Sequence, residues 1–159
     1  MKVLKLQIEN IRGIKKMNLE PEKENFVVFG PNGTGKSAVV DALDFLFTGR
    51  ISRLVGEGTK GVTLSKHGCH IDKLPKETVV RAEIDMAGSK ESVILERNLS
   101  NPINLKILKG DKSSFSDVLR IAARGHYVLS RREILKYIAA QKGERAKEIY
   151  VSGVLAYNH

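Results

Sequence analysis

Eight consecutive residues, Gly30-Pro31-Asn32-Gly33-Thr34-Gly35-Lys36-Ser37, dictate the geometry around them. They satisfy G-x-x-x-x-G-K-[ST] at every fixed position, the pattern of a loop whose main-chain N–H groups curl around a phosphate. Such a loop needs a buried strand before it and a helix N-terminus after it, the helix adding its partial positive charge. Upstream, Phe26-Val27-Val28-Phe29 is apolar without alternation, which predicts a central strand covered on both faces. Downstream, Val39, Val40, Leu43, Leu46 and Phe47 recur at helical spacing and Gly49 follows as a stop, so the helix is predicted over 36–48. The candidate contacts to a bound ATP are therefore Asn32, Gly33, Thr34, Gly35, Lys36, Ser37 and Ala38. Lys36 would reach the β- and γ-phosphate oxygens, and the Ser37 hydroxyl is the candidate Mg²⁺ ligand.

The remaining pattern frames this loop in an α/β domain. Leu4, Leu6 and Ile8 alternate with Lys5, Gln7 and Glu9, giving a half-buried strand over 2–9, and a turn at Arg12-Gly13 leads to an antiparallel partner near Met17 to Leu19. No period is sustained from Ile51 to Leu74, a glycine-bearing connection of the length that often carries function. Val80, Ala82, Ile84 and Met86 alternate with charged residues, and with Val93 to Arg97 they predict a hairpin, followed by a third strand through Ile103, Leu105 and Ile107. Ser130 and Glu133 form a capping box that opens a helix near Arg131, and a second helical stretch restarts at Arg145 after Gly143. At 159 residues the chain suits one domain over 1–159.

Charge and composition narrow the class further. No apolar run approaches the roughly 18 to 20 residues that cross a bilayer, and no signal-peptide core is present, so a cytoplasmic location without membrane partners is expected. The lone Cys69 gives no disulfide framework. The net charge of +9 is uneven: residues 101–159 carry eleven basic against five acidic side chains, which makes DNA a candidate partner. His67, Cys69 and His70 lie close together, but a closed zinc site wants four ligands, and incidental loop histidines are the simpler reading. Basic residues from Arg131 to Lys147 could face a DNA backbone or pair with Glu133, Glu144 and Glu148.

The order of these pieces resembles the SMC-like DNA repair and chromosome-maintenance ATPases, including the RecF and RecN proteins, within the ABC-type nucleotide-binding heads. The resemblance rests on Leu4 to Gly13, on the loop itself, and on Val40-Asp41-Ala42-Leu43. It continues through Lys66-His67-Gly68, Tyr127 to Arg131 and Gly143-Glu144-Arg145. It implies a P-loop NTPase fold of ABC-head type, an N-terminal half-lobe with a mixed sheet and an antiparallel β subdomain. It further implies that Arg12 contacts nucleotide from the opening turn and that Ser65 and Lys66 lie near the nucleotide edge.

Two departures from the family pattern shape the functional expectation. The Q-loop glutamine, a Mg²⁺ ligand in the family, would fall at Arg131, whose side chain has donors and no acceptor, while Gln141 ten residues on reads as a surface residue. No L-S-G-G signature, no apolar strand ending in Asp-Glu and no switch histidine is found. No catalytic residue is therefore assigned, and the chain is expected to bind Mg-ATP with little turnover until a C-terminal lobe or second head completes it. Unpaired strand edges in such a half-lobe favour self-association as a homo-oligomer. Two other functions compete. A small P-loop metabolite kinase shares the loop and would transfer phosphate to a small acceptor. A DNA- or partner-docking module would survive loss of Lys36 in its binding.

Overall fold

The alternation that begins at Lys2 produces the strand around which the sheet is organised. In the computed structural model, which describes residues 1–54, 61–86, 91–110, 115, 116 and 118–120, β1 (Lys2–Ile11) buries Leu6, Ile8 and Ile11 completely. It pairs with β2 (Ile14–Leu19) on one edge and β3 (Val79–Asp85) on the other. β4 (Val93–Asn98) and β5 (Leu105–Lys109) extend the sheet, giving the order β2-β1-β3-β4-β5. The chain divides into two compact units, Met1–Phe115 and Ser116–His159, and all five strands lie in the first.

Every ladder among these strands is antiparallel. The expected α/β class holds, but the sheet is not mixed, because the segment predicted as a central strand does not join it. Residues 26–29 carry no strand, and Val27 and Phe29 are 85% and 89% exposed. β1, β3 and β4 have both edges taken, and the run pairs with neither of the outer strands β2 and β5. Continuous hydrophobicity reports that a segment suits burial and says nothing about where its neighbours come from. β5 also starts later than predicted: Ile103 is 93% exposed in a turn closed by Asn104 N–H donating to Asn101 O at 3.2 Å.

The helix α1 (Lys36–Thr48) lies across β1, β3 and β4 with the bounds its periodicity predicted. Val39, Ala42, Phe45 and Leu46 on α1 are buried, as are Val80, Ile84, Val93 and Leu95 on β3 and β4, each large side chain contributing about 1.5–3 kcal/mol by leaving water. Val40, by contrast, faces outward. Phe47 stacks on Phe115 with ring centroids 6.1 Å apart. The C-terminus is held twice. Gly49 turns left-handed at φ 73° and its N–H donates to Phe45 O at 2.8 Å, while the buried Arg97 of β4 donates from Nε to Leu46 O at 2.8 Å and from its guanidinium to Pro102 O. A cation on the last carbonyls also complements the helix dipole.

The long connection contains more structure than its lack of period suggests. A 3-10 turn at Ser52–Leu54 is tied to α1 by Asp44, whose carboxylate accepts the Ser52 N–H at 2.5 Å, and α2 (Leu64–His67) is capped by the Thr63 side chain. The Ser130–Glu133 capping box, the helices expected beyond it, Arg131 and Gln141 lie outside the described residues.

Gly49 offers a test of how α1 is fastened. A side chain there would overlap the Pro102 carbonyl oxygen and crowd Arg97, whereas Gly61, also left-handed at φ 80°, has open space. Gly61→Ala should cost about 1 kcal/mol for its backbone alone, and Gly49→Ala clearly more, read as urea midpoints. Equal losses would show that the Pro102 and Arg97 packing is not what fixes the helix end.

Candidate functional site

The phosphate-loop motif folds into a helix N-terminus approached by the β1–β2 turn. Gly35 is the N-cap residue at φ 88°, and Gly33 stands at φ 87°, left-handed conformations that side-chain-bearing residues adopt at a cost. Within the loop, Thr34 Oγ1 donates to Pro31 O at 2.9 Å. Lys36 folds back so that Nζ donates to Gly30 O at 2.7 Å and Pro31 O at 2.6 Å. These two bonds consume two of the three ammonium donors and fix the third beside the loop. The main-chain N–H groups from Gly33 to Ser37 find no acceptor among the described residues, as the first donors of a helix commonly do not.

A cleft of about 290 Å³ opens over this loop. Its walls bring together six of the sequence-predicted loop contacts, Asn32, Gly33, Gly35, Lys36, Ser37 and Ala38, with Arg12 from the β1–β2 turn. Thr34 and Lys66 are outside the walls. Thr34 spends its hydroxyl on the loop, and Lys66 sits on α2, where its N–H is taken by the Thr63 cap. Ser65 is also on α2, its backbone oxygen accepting from Cys69 Sγ at 3.4 Å. α2 nevertheless touches the site indirectly, because Arg12 donates from its guanidinium to His67 O at 2.8 Å and from its backbone N–H to Gly68 O at 3.0 Å.

Two wall residues had no assigned role in the sequence reading, Asp41 and Arg53. Asp41 lies on the inner face of α1 with its side chain 3% exposed, flanked by Arg12 Nε at 3.5 Å from one oxygen and Arg53 NH1 at 3.5 Å from the other. Asp41 does carry a sequence signal, since an acid is out of place among the apolar positions Ala38, Ala42 and Phe45. Arg53 carries none. Burial pushes the Asp41 carboxyl above its ordinary range, with Arg53 and then Arg12 opposing the rise and Asp44 adding to it. The histidines of the 67–70 segment are engaged locally, His67 Nδ1 accepting the Thr63 N–H at 3.1 Å and His70 Nδ1 lying 3.8 Å from Asp72. Among the described residues no group of three or more potential ligands could hold a metal ion by itself.

A strand-rich lobe with a glycine-rich loop leading into α1, and arginines beside that loop, has the architecture of the P-loop class. The family model described as "AAA domain" matches residues 5–151, and the chain belongs to that family. Within it, the relatives and solved structures that the chain resembles are of the SMC and RecF type. It is 26% identical over 137 residues to human structural maintenance of chromosomes protein 1B, covering 86% of this chain and 10% of that protein. It is 27% identical over 125 residues to the DNA replication and repair protein RecF of Marinomonas sp. (strain MWYL1), covering 78% and 30%. The chain thus spans under a third of these two relatives. Among solved structures, a chain from work on ATP-driven dimerization and DNA-stimulated activation of SMC ATPases superposes with a TM-score of 0.68 at 19% identity, covering 95% of this chain and 99% of that one. A RecF-ATP structure superposes at 0.54 and 17% identity, covering 98% and 39%. These two likenesses establish the fold.

The Asp41 environment predicts a pH dependence. A carboxyl held above its unfolded value binds its proton more tightly when folded, so its stabilising contribution is complete below the ordinary value of 3.8 and is lost as pH rises through the raised one. Relative to the native chain, Asp41→Asn should therefore become progressively more stable as pH climbs above 3.8, read from urea midpoints. Parallel midpoints across that range would show that the carboxyl titrates as it does in the unfolded chain.

Proposed function

We propose that this chain is the Mg-ATP-binding lobe of an SMC- or RecF-type ATPase that works in DNA repair or chromosome maintenance. The observation that carries this reading is the cradle formed by the N–H groups of Gly33 to Ser37 at the positive end of α1, with Lys36 anchored beside it. The donors are in place before a ligand arrives, so little ordering is needed on binding. In this reading Asn32, Gly33, Thr34, Gly35, Lys36, Ser37 and Ala38 surround the phosphates, Arg12 adds a cation from the opposite wall, and Lys66 stays at the periphery. The donor set fits a magnesium nucleotide: main-chain donors and cations for the phosphates, and the Ser37 hydroxyl as an oxygen ligand for the ion. Mg²⁺, when bound, neutralises charge on the bridging phosphate oxygens.

Completion by a second lobe or a second head is the other half of the reading. Val27 and Phe29 immediately precede the loop and are almost fully exposed, so strands supplied by another lobe would bury them and fix the loop's entry. Hydrolysis would then require groups contributed from outside this chain, and the chain alone should bind nucleotide with little turnover. The basic surplus over 101–159 suits DNA as the polyanion served.

Calorimetric titration with Mg-ATP tests the cradle. Lys36→Ala should lower affinity by about tenfold or more with an unchanged unfolding midpoint, and Ser37→Ala should lower it only when Mg²⁺ is present. Native-like affinity in Lys36→Ala would overturn the assignment. For the exposed segment, a Val27→Asp, Phe29→Asp double variant should change stability by no more than about 0.5 kcal/mol per site. It should also abolish self-association in sedimentation velocity, whereas an unaltered association pattern would place the contact elsewhere.

A further inference from the structure

Resting on the nucleotide-binding reading above, we infer that Asp41 is a positioning residue that holds Arg12 and Arg53 as a preset pair of guanidiniums on the cleft wall, with Arg53 a further phosphate contact. The geometry assigns the parts. The carboxylate lies on the cleft wall with only 3% of its side chain exposed, while both arginines remain a third to nearly half exposed and line the same cleft. Each oxygen of Asp41 faces one guanidinium at 3.5 Å, which draws the two cations to separate sides of the same carboxylate. Neither arginine is exhausted by this contact. Arg12 uses Nε toward Asp41 and NH1 on His67 O, and Arg53 uses NH1, which leaves donors on both for an anion.

Arg12 is also held in a conformation it would not choose. Its φ of 51° is left-handed, a strained conformation for a side-chain-bearing residue. The surroundings over-determine it through the Gly68 carbonyl on its N–H, the His67 carbonyl on its guanidinium and Asp41 behind. Burial of the Asp41 carboxylate is itself unfavourable. A long, flexible cation loses entropy when it is immobilised on a ligand, and a carboxylate that immobilises it beforehand removes that cost from the binding step.

The alternative role for Asp41 is purely electrostatic, and it predicts the opposite sign. Removing a negative charge beside a polyphosphate should strengthen attraction, whereas releasing two positioned arginines should weaken binding. Isothermal titration of the full chain with Mg-ATP separates these. Asp41→Asn, which keeps the side-chain shape, should lower affinity by about fivefold while the unfolding midpoint does not fall. Arg53→Met should lower it by a similar factor, and adding Asp41→Asn to Arg53→Met should cost distinctly less than it does alone, the coupling that a merely structural role would not produce. Increased or unchanged affinity in Asp41→Asn, or independent losses in the double variant, would overturn the positioning role. Lys36→Ala run in parallel keeps the two readings apart. Loss of binding there with native affinity in Asp41→Asn refutes only this inference, and native affinity in Lys36→Ala refutes the nucleotide site itself.

Discussion

The fastening of α1 at both ends is the constraint from which the site follows. At its C-terminus Arg97 reaches out of β4 to the Leu46 carbonyl, and Gly49 closes the last turn against Phe45. At its N-terminus the left-handed Gly35 caps the helix, and the Ala38 N–H donates back to Gly35 O at 2.9 Å. Between these ends the apolar face sits on β1, β3 and β4. A helix pinned in this way cannot slide along the sheet, so the loop N–H groups and the Asp41 carboxylate keep fixed positions relative to the β1–β2 turn that supplies Arg12. Buried Arg97 is tolerable because the carbonyl oxygens of Leu46 and Pro102 accept from it.

Asn10 performs a related service on the other side of the cleft. Its side chain donates to Glu77 O at 2.7 Å, and its carbonyl accepts from the His70 N–H at 2.7 Å and from Thr78 Oγ1 at 3.1 Å. The end of β1 is thereby tied to the segment around His70 and to the approach of β3. Arg12, two residues on, inherits this rigidity, and the carbonyls of His67 and Gly68 that hold it belong to the same segment. The residue that sequence resemblance offered as a nucleotide contact is thus embedded in a network reaching from residue 10 to residue 78.

Much of this was legible in the sequence, and the parts that were not share a physical reason. β1, β3, β4 and α1 follow directly from periods of two and 3.6, because each buries one face on neighbours within the chain. The loop motif identified six of the cleft's residues because backbone geometry demands glycine at fixed places. Arg53 was invisible, since a side chain arriving from an aperiodic turn has no local pattern, and only the fold brings it to Asp41. Residues 26–29 were misread for the complementary reason: their apolar run records the environment a strand would want, and the pairing edges of β1, β3 and β4 are already occupied.

That mismatch bears on how the functional parts are distributed. The phosphate loop hangs between two segments of opposite character, α1 locked onto the sheet and an exposed apolar run with no ladder. In the proposed function the loop binds through its helix-side donors, Gly33 to Ser37, and an element that covered Val27 and Phe29 would fix its entry from Phe29 into Gly30. Burying two large apolar side chains would contribute roughly 3–6 kcal/mol, the scale of a strong coupling between sites. Because linkage is reciprocal, an element that covers this run and favours the nucleotide-bound loop must itself be favoured by nucleotide. In this reading the exposed run lets the state of the phosphate site be communicated to another lobe, while Asp41 and Arg97 keep the helix side of that site constant.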